Sequence, residues 1–241
     1  MSQSICEIRA ELESLSDPVY KEFSSSLVPG GQDMLGVRIP DLRRIAKRIA
    51  ACNPLEYLDQ GPETCFEETL IKGLILGYMK QDLKVVMDQI SRFVPKISSW
   101  SVCDSTCSTL KIAKKNQSAF WDFLIPYLDS DRTYEVRFAV VMLMDYFIDS
   151  EHIDLLLMAF QAIGQGDYYV KMAVAWALSV CYAKFPEKTL AFLSDCTLED
   201  DTFLKTVQKI CESHRVDEEG KAAVRSLKMK RKEIDKLVSL V

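Results

Sequence analysis

The stretch YEVRFAVVMLMDYF, Tyr134 to Phe147, sets Val136, Ala139, Val140, Leu143, Met144 and Phe147 on one side of an α-helix, because apolar residues recur there every three to four positions. The stretch YYVKMAVAWALSVCY, Tyr168 to Tyr182, repeats the pattern with Val170, Ala173, Val174, Ala177, Leu178 and Cys181. Both read as amphipathic helices with a core face. Working outward, helical periodicity runs along the whole chain, and no convincing period-two alternation interrupts it. Breaks fall at Pro29-Gly30-Gly31, Asn53-Pro54, Gly61-Pro62, Pro95, Asp129 to Asp131, Gly164 to Asp167 and Pro186. Asn53-Pro54 reads as an N-cap followed by proline at the first helical position, and Ile39-Pro40-Asp41 opens another helix. The spacing predicts about a dozen helices of roughly 10–18 residues joined by short connections. No long linker divides the chain, so residues 1–241 read as a single domain of all-α class.

A faint internal echo accompanies this pattern. An apolar residue followed by a base recurs at Ile71-Lys72, Val136-Arg137 and Val170-Lys171, the last two pairs 34 residues apart, as in two-helix repeats. Stacked helical pairs build an extended concave face on which a long ligand can lie.

Composition bounds the function. In 241 residues, 48% are hydrophobic, enough for a sizeable core, while 30 Lys and Arg against 35 Asp and Glu give a net charge of −5. That balance argues against a protein that coats nucleic acid non-specifically, since phosphate binding needs clustered positive charge. The start MSQSICEIRAELES lacks the basic and apolar regions of a secretory signal, and no run of about 18 apolar residues occurs. The expectation is a cytoplasmic protein, with no membrane contact, acting as a monomer. Eight cysteines scattered through apolar stretches read as reduced, mostly buried small residues. With two histidines and no CxxC, neither a metal nor an organic cofactor is expected; Cys103 and Cys107, one helical turn apart, are weak evidence for a metal.

Common catalytic signatures are absent: no GxSxG, no phosphate-binding glycine loop, no HExxH. Polar and aromatic residues off the core stripes are more informative. If the segment from Ser98 is helical, Trp100, Asp104, Cys107 and Lys111 share one face. A tryptophan one turn before an aspartate is either a site or an indole wedged between helices beside a solvated carboxylate. Trp176 falls outside its helix's core stripe, on a second face with Tyr169, Met172 and Ser179, and is either buried or offered to a ligand. Arg137 also lies off its stripe, as a surface base or an ion-pair partner.

Together these segments resemble the DNA alkylation repair family of AlkD-like glycosylases. The resemblance begins with LGVRIPDLRRIAKRIA, Leu35 to Ala50, continues through Trp100-Ser-Val-Cys-Asp104 and Val136-Arg137, and ends with YYVKMAVAWAL, Tyr168 to Leu178. It implies an α-α superhelix of HEAT-like repeats whose concave groove faces double-stranded DNA carrying alkylated purines. It further implies that Trp100, Trp176 and Asp104 face the deoxyribose of the damaged nucleotide and that Arg137 lies near the DNA backbone. Lys171, Arg38, Arg43, Arg44 and Lys47 are read with Arg137 as DNA-binding bases, and Phe23 or Tyr20 as the family's N-terminal cleft aromatic. An N3- or N7-alkylated purine is a cationic leaving group, so its glycosidic bond breaks through an oxocarbenium-like sugar. A fixed carboxylate stabilises that cation and orients water, and indole faces favour positive charge by roughly 0.5–2 kcal/mol per contact. The family implied works from the sugar side without a base pocket.

Two departures stand out. Ser179 replaces the family's arginine three residues beyond the tryptophan, and the chain is acidic where relatives are basic. Both favour a second reading, a non-catalytic helical-repeat module that binds a protein or a DNA structure; Trp100, Asp104 and Trp176 favour the enzyme. By position, however, the charge is uneven. Arg38, Arg43, Arg44, Lys47 and Arg48 cluster in one helix, Lys111, Lys114 and Lys115 follow the Trp100 segment, and the tail from Lys221 to Lys236 is basic. If this chain binds DNA, its bases are expected on the concave face.

Overall fold

The computed structural model describes residues 4–28, 33–61 and 63–238, with side chains through 231; the breaks expected at Pro29-Gly30-Gly31 and at Pro62 lie outside the described residues. All regular structure among the described residues is helical, in agreement with the all-α reading. The chain divides into two compact units, 1–116 and 117–241.

In the first unit the helices are α1 (Ile5–Ser14), α2 (Pro18–Leu27), α3 (Ile39–Ala51), α4 (Pro54–Leu58), α5 (Phe66–Tyr78), α6 (Leu83–Phe93) and α7 (Trp100–Cys107). Local chemistry sets their starts. Ser4 and Glu7 form a reciprocal capping box on α1, and Asp17 accepts the Val19 and Tyr20 N–H groups ahead of Pro18 on α2. Pro54 occupies the first turn of α4 as expected, but Asn53 does not cap it: its side-chain amide donates to Glu56 instead, 3.1 Å away. The α3 helix opens at Ile39, where Ile39-Pro40-Asp41 placed it.

The centre of this unit is α5, packed between α3 and α7 and buried on every side through Leu76. Contact with α7 is close because Gly73 has no side chain; a Cβ there would stand 2.1 Å from the Thr106 hydroxyl. Three charged residues of α5 are buried, which is tolerable only with full pairing. The Glu68 carboxylate receives the Arg9 guanidinium at 2.6 Å and the Thr64 N–H at 2.7 Å. The Lys72 ammonium donates to the Gln60 carbonyl at 2.6 Å and pairs with Glu63 at 2.8 Å. Glu67 accepts the N–H groups of Leu35, Gly36 and Val37.

The second unit comprises α8 (Gln117–Leu124), α9 (Thr133–Phe147), α10 (Ile153–Ala162), α11 (Tyr168–Lys184), α12 (Pro186–Asp195), α13 (Asp200–Glu212) and α14 (Glu218–Val238). Here α9, α11 and α13 pack in a row, with α12 and α14 against them. The single stripes expected for α9 and α11 widen in the structure: Phe138, Val141 and Met142 are buried beside the α9 stripe, and Ala175 and Ser179 beside that of α11. A helix flanked on two sides has little surface left for solvent.

The echo of apolar-base pairs marks a recurring structural task. Lys72 closes the loop that precedes its own helix, Arg137 of α9 reaches the Tyr169 carbonyl at the start of α11, and Lys171 of α11 reaches Glu199 and Asp201 at the start of α13. In each case a cation near a helix start ties down a neighbouring helix start or loop.

Candidate functional site

Helix α7 carries the first site residues. Ser99 is buried in extended backbone, and its hydroxyl accepts the Val102 N–H at 3.3 Å, so the helix begins at Trp100. The Trp100 indole N–H donates to the Leu27 carbonyl at the end of α2, 3.0 Å away, which fixes the ring's orientation. Asp104 follows one turn later on the same face, and both are partly exposed, whereas Val102, Cys103, Thr106 and Cys107 are buried. Cys107 and Lys111 do not join this face as expected. The helix ends at Cys107, turns at Thr109, and continues as a 3-10 segment from Lys111, which rotates the lysine out of register.

Beside Trp100 lies a cavity of about 210 Å³, lined by Tyr20, Phe23 and Leu27 of α2, Phe66 and Glu67 of α5, and Trp100 and Ser101. Its architecture explains the motif LGVRIP. Gly36 adopts φ +88°, where a side chain would be strained and a Cβ would stand 2.5 Å from the Asp17 carbonyl, and the buried Glu67 collects the three successive N–H groups around it. That turn delivers Arg38, which pairs with Asp17 at 2.7 Å and lies 4.8 Å over the Tyr20 ring. Glu67 and Phe66 escaped the sequence reading because a glutamate inside a fully buried helix carries no periodic signal.

The bases of α3 divide into two groups. Arg44 pairs with Asp41 at 2.9 Å and approaches Glu11, which also binds Arg48; Arg38 has Asp17. Arg43 and Lys47 converge instead on Tyr78: the guanidinium donates to its hydroxyl at 2.9 Å, and the ammonium sits 5.4 Å from its ring centre. A phenol and an aromatic face orient these cations without neutralising them, so Arg43 and Lys47 keep their full positive field. Lys111, Lys114 and Lys115 are exposed on the same unit.

In the second unit the expected bases are placed differently. Arg137 is only 6% exposed, and its guanidinium donates to the Tyr169 carbonyl at 2.8 Å, so it is not the surface base that its position off the stripe implied. The reason is packing: the side of α9 that bears Arg137 meets the start of α11. Lys171 pairs with Glu199 at 2.8 Å and Asp201 at 3.7 Å, and its hydrogen bond to Glu199 raises its pKa. Trp176 is 37% exposed and follows Tyr168 and Met172 at four-residue spacing, a partly exposed apolar line on α11. Ser179 leaves that line: it is buried, and its hydroxyl donates to the Trp176 carbonyl at 2.7 Å.

Trp100 and Asp104 thus stand together in the first unit, with Arg43 and Lys47 on α3 of that unit; Arg137, Lys171 and Trp176 belong to the second. Layered helices that present an indole–carboxylate pair and a second exposed tryptophan define an all-α helical-stack protein with a surface suited to a cationic, aromatic or sugar-bearing ligand. The sequence model of the family described as "DNA alkylation repair enzyme" matches residues 8–219, across both units, and the chain belongs to that family. Its role is therefore in the repair of alkylated DNA. No curated protein sequence matches the chain. Among the described residues, no helix is long and apolar enough to cross a membrane.

Proposed function

We propose that the protein is a DNA N-glycosylase that releases N3- or N7-alkylated purines from duplex DNA. The observation that carries this reading is the pairing of Trp100 and Asp104 on one partly exposed face of α7, with the indole locked by the Leu27 carbonyl. As the bond between sugar and purine breaks, the deoxyribose gains positive charge; Asp104 stabilises it and orients the incoming water. The indole of Trp100 favours the same charge through its π face, and Trp176 offers a second such face. Arg43 and Lys47 supply phosphate contacts. The reading calls for neither a metal nor an organic cofactor.

The placement of Arg137, Lys171 and Ser179 favours a second reading. All three positions serve internal packing or ion pairs, so the second unit presents fewer cations to DNA than the resemblance implies, as a non-catalytic binding module would. Chromatography of bases released from methylated duplex DNA at low salt separates the two. Release of 7-methylguanine or 3-methyladenine above the spontaneous rate, abolished by Asp104→Asn, supports the enzyme; release at the spontaneous rate supports the module.

A further inference from the structure

The glycosylase reading gives the departing base no place of its own, and the family resemblance implies a site without a base pocket. The cavity beside Trp100 offers one. Four aromatic side chains line it: Tyr20, Phe23, Phe66 and Trp100. An apolar cavity of about 150 Å³ holds a benzene ring, so about 210 Å³ suits a flat bicyclic heterocycle. We propose that this cavity receives the N-alkylated purine itself once the nucleotide has left the helical stack. The proposal rests on the glycosylase reading for its substrate.

Charge, rigidity and position converge on this occupant. Aromatic faces attract cations, and the Glu67 carboxylate, 1% exposed, is the single charged group in the lining. Its oxygens already accept the Leu35, Gly36 and Val37 N–H groups, so it acts as a fixed negative field and not as a proton carrier. The walls are held before any ligand arrives: Tyr20 under the Arg38 guanidinium, which Asp17 secures, and Trp100 by the Leu27 carbonyl. Asp104 lies one turn beyond Trp100, about 6 Å along the helix axis. A base resting against Trp100 therefore carries its deoxyribose towards Asp104, and the bond to be broken lies between the cavity and the carboxylate.

Phe23 lines the cavity yet is 61% exposed, so it forms part of the rim. A bounded rim makes a prediction that an open sugar-side site does not: methylated purines enter, bulky N7 adducts do not. Two measurements on the intact protein test this. In the first, binding of 7-methylguanosine, cationic in mildly acidic buffer, is compared with that of guanosine by calorimetry. The methylated nucleoside is expected to bind at least about ten-fold more tightly, and Phe23→Ala to weaken it by about ten-fold, as for loss of one stacking face. In the second, release of 7-methylguanine is compared with release of a bulky N7-guanine adduct from the same duplex. Wild type is expected to favour the methyl lesion, and Phe23→Ala to raise the bulky-to-methyl ratio by about ten-fold, the usual scale for reshaping an apolar pocket. Phe23 is exposed enough for the variant to fold, which its circular dichroism confirms. Equal affinity for the two nucleosides, or a release ratio unchanged by Phe23→Ala, overturns the pocket. If no base is released from DNA while the nucleoside preference persists and falls in Phe23→Ala, the glycosylase reading is lost and the pocket stands.

Discussion

Replacing Arg137 with alanine separates a structural cation from a DNA-contacting one. The guanidinium is buried and donates to the Tyr169 carbonyl at 2.8 Å, linking α9 to the start of α11. A hydrogen bond from a charged group contributes about 1.5–3 kcal/mol, and the buried aliphatic stem adds packing worth about 0.8 kcal/mol per methylene. Relief of side-chain entropy, about 2 kcal/mol for arginine, offsets part of this. The net loss is about 2–4 kcal/mol. For a unit of this size each kcal/mol lowers Tm by roughly 3–6 °C, so a fall of about 10 °C is expected in calorimetry or thermal circular dichroism. DNA affinity, measured below the lowered Tm over a salt series, is expected to keep its logarithmic slope, whereas removal of one phosphate contact would reduce that slope by about 0.9. A variant with unchanged Tm and a flattened slope would refute the reasoning, since it would put the guanidinium on phosphate and not on the Tyr169 carbonyl.

Asp104→Asn is expected to lower base release by at least about a hundred-fold, the scale for removing a preorganised electrostatic group, with Tm within a few degrees of wild type; a tenth or more of the activity remaining would exclude the carboxylate from the chemistry. The double variant Arg43→Ala, Lys47→Ala should reduce the salt slope of DNA binding by about 2, while Lys171→Ala, whose charge is spent on Glu199 and Asp201, should leave it unchanged. Gly73→Ala forces a methyl group against the Thr106 hydroxyl and should cost about 1–3 kcal/mol in urea denaturation; wild-type stability would mean that α5 and α7 are not in close contact. Burial pushes the Glu63 carboxyl up, but its bonds to Lys72 and Lys96 hold it below the ordinary value of 4.5. Its contribution to stability is then complete above pH 4.5 and lost as the pH falls through the depressed value. Glu63→Gln should accordingly flatten the acid limb of stability against pH, and an acid limb of unchanged steepness would show that the pairing contributes nothing.

Periodicity alone established that the chain is a stack of helices, because a 3.6-residue pattern of apolar residues has only one way to bury itself, and Ile39-Pro40 and Pro54 marked helix starts through the fixed φ of proline. The Trp100–Asp104 pair was equally accessible, since four residues along one helix always return to the same face. What each side chain meets beyond its own helix was not. Asn53 was expected to cap α4 but bonds Glu56; Lys111 was expected to share the Trp100 face but lies past the end of α7; and Ser179 was expected on a face with Trp176 but points into the packing. Arg137 and Lys171 show the limit most clearly. As letters they are bases off a core stripe, available to DNA, while in the fold one is buried on a carbonyl of the next helix and the other is held by two acids some thirty residues away. The sequence by itself determined the helices, the indole–carboxylate pair and the uneven charge, because these depend on neighbours within a turn or two. Only the tertiary structure decided which cations remain free to meet phosphate and that a cavity stands beside Trp100, because both depend on groups that the chain brings together across long separations.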